Sequence, residues 1–448
     1  KGLGSLILVL SLCAGLMMGC GKSGESQKPA QEKQPASAAK EEDSKPAETE
    51  AKKTESLKGT VTFWGWNQEL YDKSFPLFNA KYPDIKIEFE NKDYLQKVLS
   101  SLAAGMELPD IVWLDRNYRG KLVSLDFLQN LEEAPFNFQR GTILDYVIPL
   151  ISNEKGQVTS IPFDLSVAAI AYRRDLAKQY FGTDDPKQLQ SVFPDWDTFI
   201  QKGIEVRQKS NGKIFMFPGL SDVIPILDGQ NPQPVVEGEK ANLNDTWGKT
   251  FEMAVKMRDA GIIDKLDQWT PAWNASYSQG NHIFYPCAVW STDYVIKPND
   301  KDSSGRWGIM VPPGGGYIWG GSSYGIPKDS KNKEVAWKYI EWFFLTDEGA
   351  EYSKTNNILI HLKKKYEDTT YYTSPNPYWG NQDIGGFWIK EVVPITKPRP
   401  ETKYDGTMGE IVGLVTKAMN EDSKMTAADA LKKLKEELKN KAAELQID

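Results

Sequence analysis

The sequence predicts an α/β protein of about two lobes, on three observations. Short apolar strands alternate with amphipathic helices from Thr60 to Leu114. About 390 residues follow an N-terminal stretch of different composition, enough chain for two cores. No apolar segment after Met18 approaches the roughly 20 residues that a membrane-spanning helix needs.

The N-terminal stretch reads separately from the fold. Leu3 to Met18 is an almost unbroken apolar run with no charge inside it, too short to span a bilayer but suited to the apolar region of a secretory signal. It closes on Leu16-Met17-Met18-Gly19-Cys20, which resembles a bacterial lipobox, with Met17 where such motifs usually carry Leu. Residues 1–19 are therefore expected to be a signal peptide, with Cys20 the lipidated residue. Residues 20–56 are rich in Lys, Glu, Ala, Ser, Pro and Gln. Such a segment buries too little surface to offset its ordering entropy and is expected to be a disordered tether, roughly 30–40 Å end to end. Together these features predict an extracytoplasmic domain, lipid-anchored to a cell membrane of the Gram-positive type. The fragment Gly21-Lys22-Ser23 imitates the end of a phosphate-binding loop, but Leu16 stands in place of the first glycine and no strand precedes it.

Along the folded region, Thr60–Trp64, Ile85–Phe89 and Ile111–Leu114 read as strands, with helices over Gln68–Tyr82 and Leu95–Ala104 between them. That βαβαβ order predicts a largely parallel sheet covered on both faces. Val167–Tyr172 reads as a further strand. Trp196–Arg207 and Thr246–Ala260 read as helices capped by Asp195 and Asp245. Val335–Phe344 and Ala427–Leu445 complete the helices.

In open α/β sheets, ligands bind beyond the C-terminal strand ends. Trp64, Trp66 and Asn67 follow the first strand, and Asp115, Arg116 and Tyr118 follow the third. Indole and phenol faces stack on the C–H face of a sugar ring, while Asp, Arg and Asn can bond neighbouring hydroxyls. The chain carries 14 tryptophans, many beside Gly, Pro or Asp. Trp319 precedes Gly320 and Gly321, which permit close backbone approach, and it is the strongest candidate for a ligand contact. Trp379 and Trp388, in a Gly/Asn/Pro-rich stretch, are expected on a loop over the cleft. Trp269 and Trp273, four apart around Pro271, are assigned equally to packing or ligand. Trp196, Trp247, Trp337 and Trp342 fall on expected helices and are assigned to packing. Only His282 and His361 are present, which excludes a His-rich metal site, and both are read as ordinary. With Cys13 leaving in the signal peptide and Cys20 acylated, only Cys287 remains, a small buried hydrophobe without a disulfide partner. A formal net charge of −7 with no basic block argues against nucleic acid.

With these segments in order, the sequence resembles family 1 of the extracellular solute-binding proteins, receptors of carbohydrate ABC importers. The resemblance rests on Thr60-Val-Thr-Phe-Trp-Gly-Trp, Leu108-Pro-Asp-Ile-Val, Ile161-Pro-Phe-Asp and Ala171-Tyr-Arg-Arg-Asp-Leu. It continues through Trp307-Gly-Ile-Met-Val-Pro-Pro-Gly-Gly-Gly, Gly320-Gly-Ser-Ser-Tyr-Gly-Ile-Pro-Lys and Ser330-Lys-Asn-Lys-Glu-Val-Ala-Trp. It implies a two-lobed clamshell like the periplasmic binding proteins, each lobe a mostly parallel sheet flanked by helices. Lobe 1 would take residues 57–163 and 286–344, and lobe 2 residues 164–285 and 345–448. The resemblance also implies ligand contacts from Asp164 at the crossover and from Trp290 and Asp293 near the hinge, with Gly320 beside Trp319. It further implies delivery to the permease subunits of an importer, no cofactor, no metal and no catalysis.

The expected ligand is a neutral di- to tetrasaccharide, with a preference for β-linked xylo-, cello-, manno- or chito-oligosaccharides, bound by a monomer. Two alternatives stay open. One is a glycoside hydrolase with two acidic residues. The other is a receptor for a polyamine or a polyol phosphate.

Overall fold

The computed structural model describes residues 57–91 and 94–448. The expectations for the signal peptide, Cys20 and the tether lie outside the described residues. The first strand, β1 (Gly59–Gly65), pairs in parallel with β2 (Ile85–Asn91) and with β3 (Ile111–Asp115). Helices α1 (Gln68–Lys81) and α2 (Tyr94–Ala104) connect them. Asn67 starts α1 from a left-handed conformation with φ 63°, its side chain accepting from the Leu70 N–H. Helix α3 (Arg116–Ser124) leaves the end of β3 at once, capped by Asp115, whose carboxylate accepts from the Asn117 N–H.

β4 (Ile161–Pro162) completes this sheet, and the chain then passes directly into β5 (Val167–Arg173) of a second sheet. All seven residues of β5 are buried, as its near-continuous apolar run requires. Val167, Ala169 and Ala171 point into one core while Ala168, Ile170 and Tyr172 point into another, the period-two alternation of a strand packed on both faces.

Second-sheet helices follow: α4 (Trp196–Lys209), α5 (Leu220–Gly229), α6 (Lys249–Asp259) and α7 (Pro271–Gln279). Asp195 caps α4 as expected, accepting from the Thr198 N–H. Asp245 does not cap: a π-turn over Asn244–Gly248 precedes α6, and Asp245 pairs with Lys249 at 2.9 Å instead.

β6 (Phe284–Ala288), β7 (Trp307–Met310) and β8 (Tyr317–Ile318) all pair antiparallel with β5. The expected mostly parallel sheet therefore holds for the first sheet and not for the second. The chain reaches β6 through α4–α7, and β6, β7 and β8 then flank β5 on its two edges, each running against it. Residues 286–288, 307–310 and 317–318, which the expected division gave to lobe 1, thus pair in the second sheet. Only β9 (Ser322–Gly325) returns to the first, antiparallel between β3 and β4.

Helix α8 (Lys333–Leu345) packs behind β1, and α9 (Asp347–Thr355) packs on α8. Leu362 still bridges to Ile143, so residues beyond 345 stay with the first sheet for a further stretch. The C-terminal helices α10 (Asp405–Glu421) and α11 (Ala427–Lys441) cover the second sheet's outer core. Among the described residues no helix is long and apolar enough to cross a membrane.

Candidate functional site

The passages between the sheets, Phe163–Val167 and Ile318–Ser322, lie side by side. The Trp319 N–H donates to the Ser166 carbonyl at 3.0 Å, and the Arg116 N–H donates to the Gly321 carbonyl at 3.1 Å. Gly320 and Gly321 have φ of 74° and 97°, where a side chain would be strained. A Cβ on Gly320 would stand 2.9 Å from the Trp290 indole nitrogen, and one on Gly321 would stand 2.6 Å from Ser166 Cβ. These glycines let the backbone close against Trp290, whose Nε1–H donates to the Trp319 carbonyl at 2.8 Å.

Around these passages lies a cavity of about 1210 Å³. It is larger than the ~300–1,000 Å³ that usually houses a drug-sized ligand. From the first sheet it is lined by Trp66, Trp113, Asp115, Arg116 and Asn117, and at the crossover by Phe163 and Asp164. The second-sheet side contributes Ser221, Asp228, Trp247, Gln268, Trp269, Trp290, Trp319 and residues of α10.

Two aromatic groups stand out. Trp66, 41% exposed, sits edge-on to Trp113 at 5.6 Å and near Tyr294 at 6.1 Å. Trp269, 56% exposed, lies nearly parallel to Trp290 at 6.3 Å and near Trp319 at 6.1 Å. Trp269 also has φ 67°, unusual for a bulky residue.

The cavity wall carries seven carboxylates against three cationic side chains. Several are already partnered. Glu401 receives a two-pronged contact from Arg119 at 2.8 and 2.6 Å, Arg399 holds Asp228 at 2.7 Å, and Lys297 holds Asp293 at 3.2 Å. Asp164 differs: it is 8% exposed and, among the described residues, accepts no hydrogen bond from another residue. Burial pushes its carboxyl up to about 7. Burial raises Asp115 as well, partly offset by the hydrogen bond from the Asn117 N–H. A desolvated acceptor such as Asp164 wants donors from a ligand.

Of the expected site residues, Trp66, Asp115, Arg116, Asp164, Trp290, Asp293, Trp319 and Gly320 line one cavity. Asn67 stands just behind it, its Nδ2 donating to the Tyr294 hydroxyl at 3.3 Å. Trp64 is a correction: it points to the helix-covered side of the sheet, with Lys97 Nζ 3.7 Å from its ring centre. Trp379 and Trp388 are also corrections. Both are fully buried in the core rather than on a loop over the cleft, because tight turns and short helical segments fold their Gly-rich stretch inward.

Sequence reasoning missed Trp113, Tyr294, Gln268, Arg399 and the α10 face, and it gave Trp269 no preference. Trp247 is buried as expected but also lines the cavity. Trp269 follows Asp-Gln and precedes Thr-Pro, a loop context that could have marked it as exposed. Neither histidine lines the cavity: His282 is paired with Asp264 at 2.9 Å and His361 lies 3.0 Å from the Tyr146 hydroxyl. Among the described residues no cluster of His, Cys, Asp and Glu could hold a metal ion.

Comparison with known proteins gives this geometry a context. The profile of a family described as bacterial extracellular solute-binding protein matches residues 76–376. A lactose-binding protein of Rhizobium radiobacter is 24% identical over 313 residues, covering 66% of this chain and 72% of that protein. The crystal structure of a family 1 extracellular solute-binding protein superposes with a TM-score of 0.78 at 21% identity, over 85% of this chain and 99% of the other. The galacto-N-biose/lacto-N-biose I-binding protein of a Bifidobacterium longum ABC transporter superposes at 0.69 with 16% identity, over 88% of this chain and all of the other.

Proposed function

The chain belongs to the bacterial extracellular solute-binding proteins, and from that premise we propose that it captures a neutral oligosaccharide between its two lobes and delivers it to the permease of an ABC importer. The observation that carries this reading is a single cavity with an aromatic group on each sheet's side and an unpartnered buried carboxylate, Asp164, at the crossover. Rings of a sugar chain stack on Trp66 and on the Trp269–Trp290–Trp319 group. Their hydroxyls donate to Asp164 and Asp115 and accept from Arg116. The relatives named for lactose and lacto-N-biose support an oligosaccharide rather than an amino acid or ion. The size of the cavity supports two to four rings, and the flat platforms favour β-linked chains.

The lobes are proposed to divide at Phe163–Val167, at Ile318–Ser322 and again after Leu362. The N-terminal reading, a lipid anchor on Cys20 holding a monomer outside the cell membrane, completes the proposal.

The test is a screen of purified protein against xylo-, cello-, manno-, malto- and chito-oligosaccharides by calorimetry and tryptophan fluorescence. Saturable binding with changed emission and an intact ligand is expected. Folded protein that binds none of them, or that releases new reducing ends, overturns the reading.

A further inference from the structure

Glycine is a poor residue for a helix interior, less favourable there than alanine. Where this fold carries one there, contact usually explains it. A Cβ on Gly120 of α3 would come 2.1 Å from the Thr402 carbonyl oxygen, and one on Gly203 of α4 would come 2.8 Å from Ile262. Gly409 and Gly413 of α10 are different. A Cβ on either would meet no atom within 4 Å, so packing does not call for glycine at either place.

Both glycines line the cavity, four residues apart on one face of α10 with Asp405, Met408, Val412 and Lys417. That face runs about 18 Å along the helix at ~1.5 Å per residue. The cavity lining also includes the apolar side chains of Ile224, Val236 and Trp247, which belong to the same hydrophobic cluster as Met408 and Val412 of α10. The same cavity holds the unpartnered Asp164 carboxylate, an independent sign that a ligand completes it.

Resting on the oligosaccharide reading above, we infer that the groove between α5, Trp247 and α10 is a separate subsite for the distal rings of a chain longer than a disaccharide. Gly409 and Gly413 are the residues that set this length, because their missing side chains leave the groove open. A ring stacked on the Trp269 group leaves this wall free for the next rings. The apolar C–H faces of those rings suit Val236 and Trp247.

The experiment uses dimers to pentamers of malto-, cello-, xylo-, manno- and chito-oligosaccharides on wild type, Gly409→Leu, Gly413→Leu and Gly413→Ala. In the class that wild type binds, affinity should rise beyond the dimer. Gly413→Leu should leave the dimer within a few-fold and weaken trimers and longer chains by about tenfold or more. Gly413→Ala, adding one methyl into open space, should do much less. Leucine is the better helix former, so neither leucine variant should lower the melting temperature. If one fails to fold, the other, one turn away, reads the same length dependence.

Equal weakening at every length, no weakening at any, or a wild type that gains nothing beyond the dimer overturns the inference while leaving the oligosaccharide reading intact. A wild type that binds no oligosaccharide overturns both.

Discussion

Trp269 combines a large exposed indole with a left-handed backbone at φ 67°, a conformation that costs a non-glycine residue on the order of 1–3 kcal/mol. Its ring lies against Trp290 and Trp319, so the strained turn presents a broad apolar face to the cavity. Trp269→Ala and Trp319→Ala should each weaken sugar binding by about 1–3 kcal/mol, read by calorimetry, with little loss of thermal stability. Trp379→Ala and Trp388→Ala should do the reverse. Both indoles are fully buried, and truncation should cost about 3–5 kcal/mol of stability in denaturant unfolding while affinity per folded molecule stays.

Asp164 makes a prediction in pH. Its folded-state carboxyl titrates near 7, above the ordinary 3.8, because it is buried without a partner. Between those values the folded protein holds more protons than the unfolded chain, so this group lowers stability as pH rises from about 4 to 7. Asp164→Asn should therefore stabilise the unliganded protein most at pH 7–8 and least near pH 4. Asp222, pushed to about 7 by burial despite bonds from Gln268 and Trp273, adds a similar slope that Asp164→Asn leaves in place. Hydroxyl donors favour the ionised Asp164, so sugar affinity should increase between pH 5.5 and 8, and Asp164→Asn should flatten that increase. An affinity that falls over this range in wild type would mean that Asp164 donates to the ligand rather than accepts.

Between elements, the decisive contact joins α3 of the first sheet to the chain entering α10. Gly120 lets α3 approach Thr402, and the Arg119 guanidinium meets Glu401 in a nearly dry, two-pronged pair at 2.8 and 2.6 Å. Arg116 shares Glu401 at 3.6 Å and donates to the Ile318 carbonyl at 2.7 Å. The same few residues thus touch the C-terminal segment and a crossing strand beside the cavity. Gly120→Ala would drive a methyl group into the Thr402 carbonyl and should lower the melting temperature clearly. Arg119→Ala should cost about 3–5 kcal/mol, because it leaves Glu401 buried without its main cation. A melting temperature unchanged by both variants would show that α3 and Thr402 separate freely. The antiparallel second sheet belongs to this scale too. Its apolar strands were visible in sequence, but strand direction depends on how a distant segment returns, and periodicity carries no such information.

Taken as a whole, the molecule lines its cavity from two sheets joined by adjacent crossings, and on the proposed reading a sugar favours the form in which they close together. A ligand shifts that balance only by its differential affinity for the two forms. Saturating oligosaccharide should therefore lower the radius of gyration in solution scattering. Asp164→Ala combined with Trp269→Ala should bind weakly and compact little. Identical wild-type profiles with and without sugar, from an unliganded form shown to be open, would count against closure.

The class of fold, the order of the first strands and helices, and the family are legible along the chain, because they follow from hydrophobic period and from continuous motifs. The sequence also marked Trp66, Asp115, Asp164 and Trp319, each of which stands at the end of a strand or at a turn whose position is set locally. Which tryptophans line the cavity depends on tertiary packing. Trp379 and Trp388 share a glycine-rich context that suggests a loop, yet they fill the core, while Trp269 stands open beside Trp290 and Trp319. The groove along α10 was invisible for the same reason. An exposed glycine in a helix acquires meaning only when the other residues of the cavity, distant in sequence, are in place.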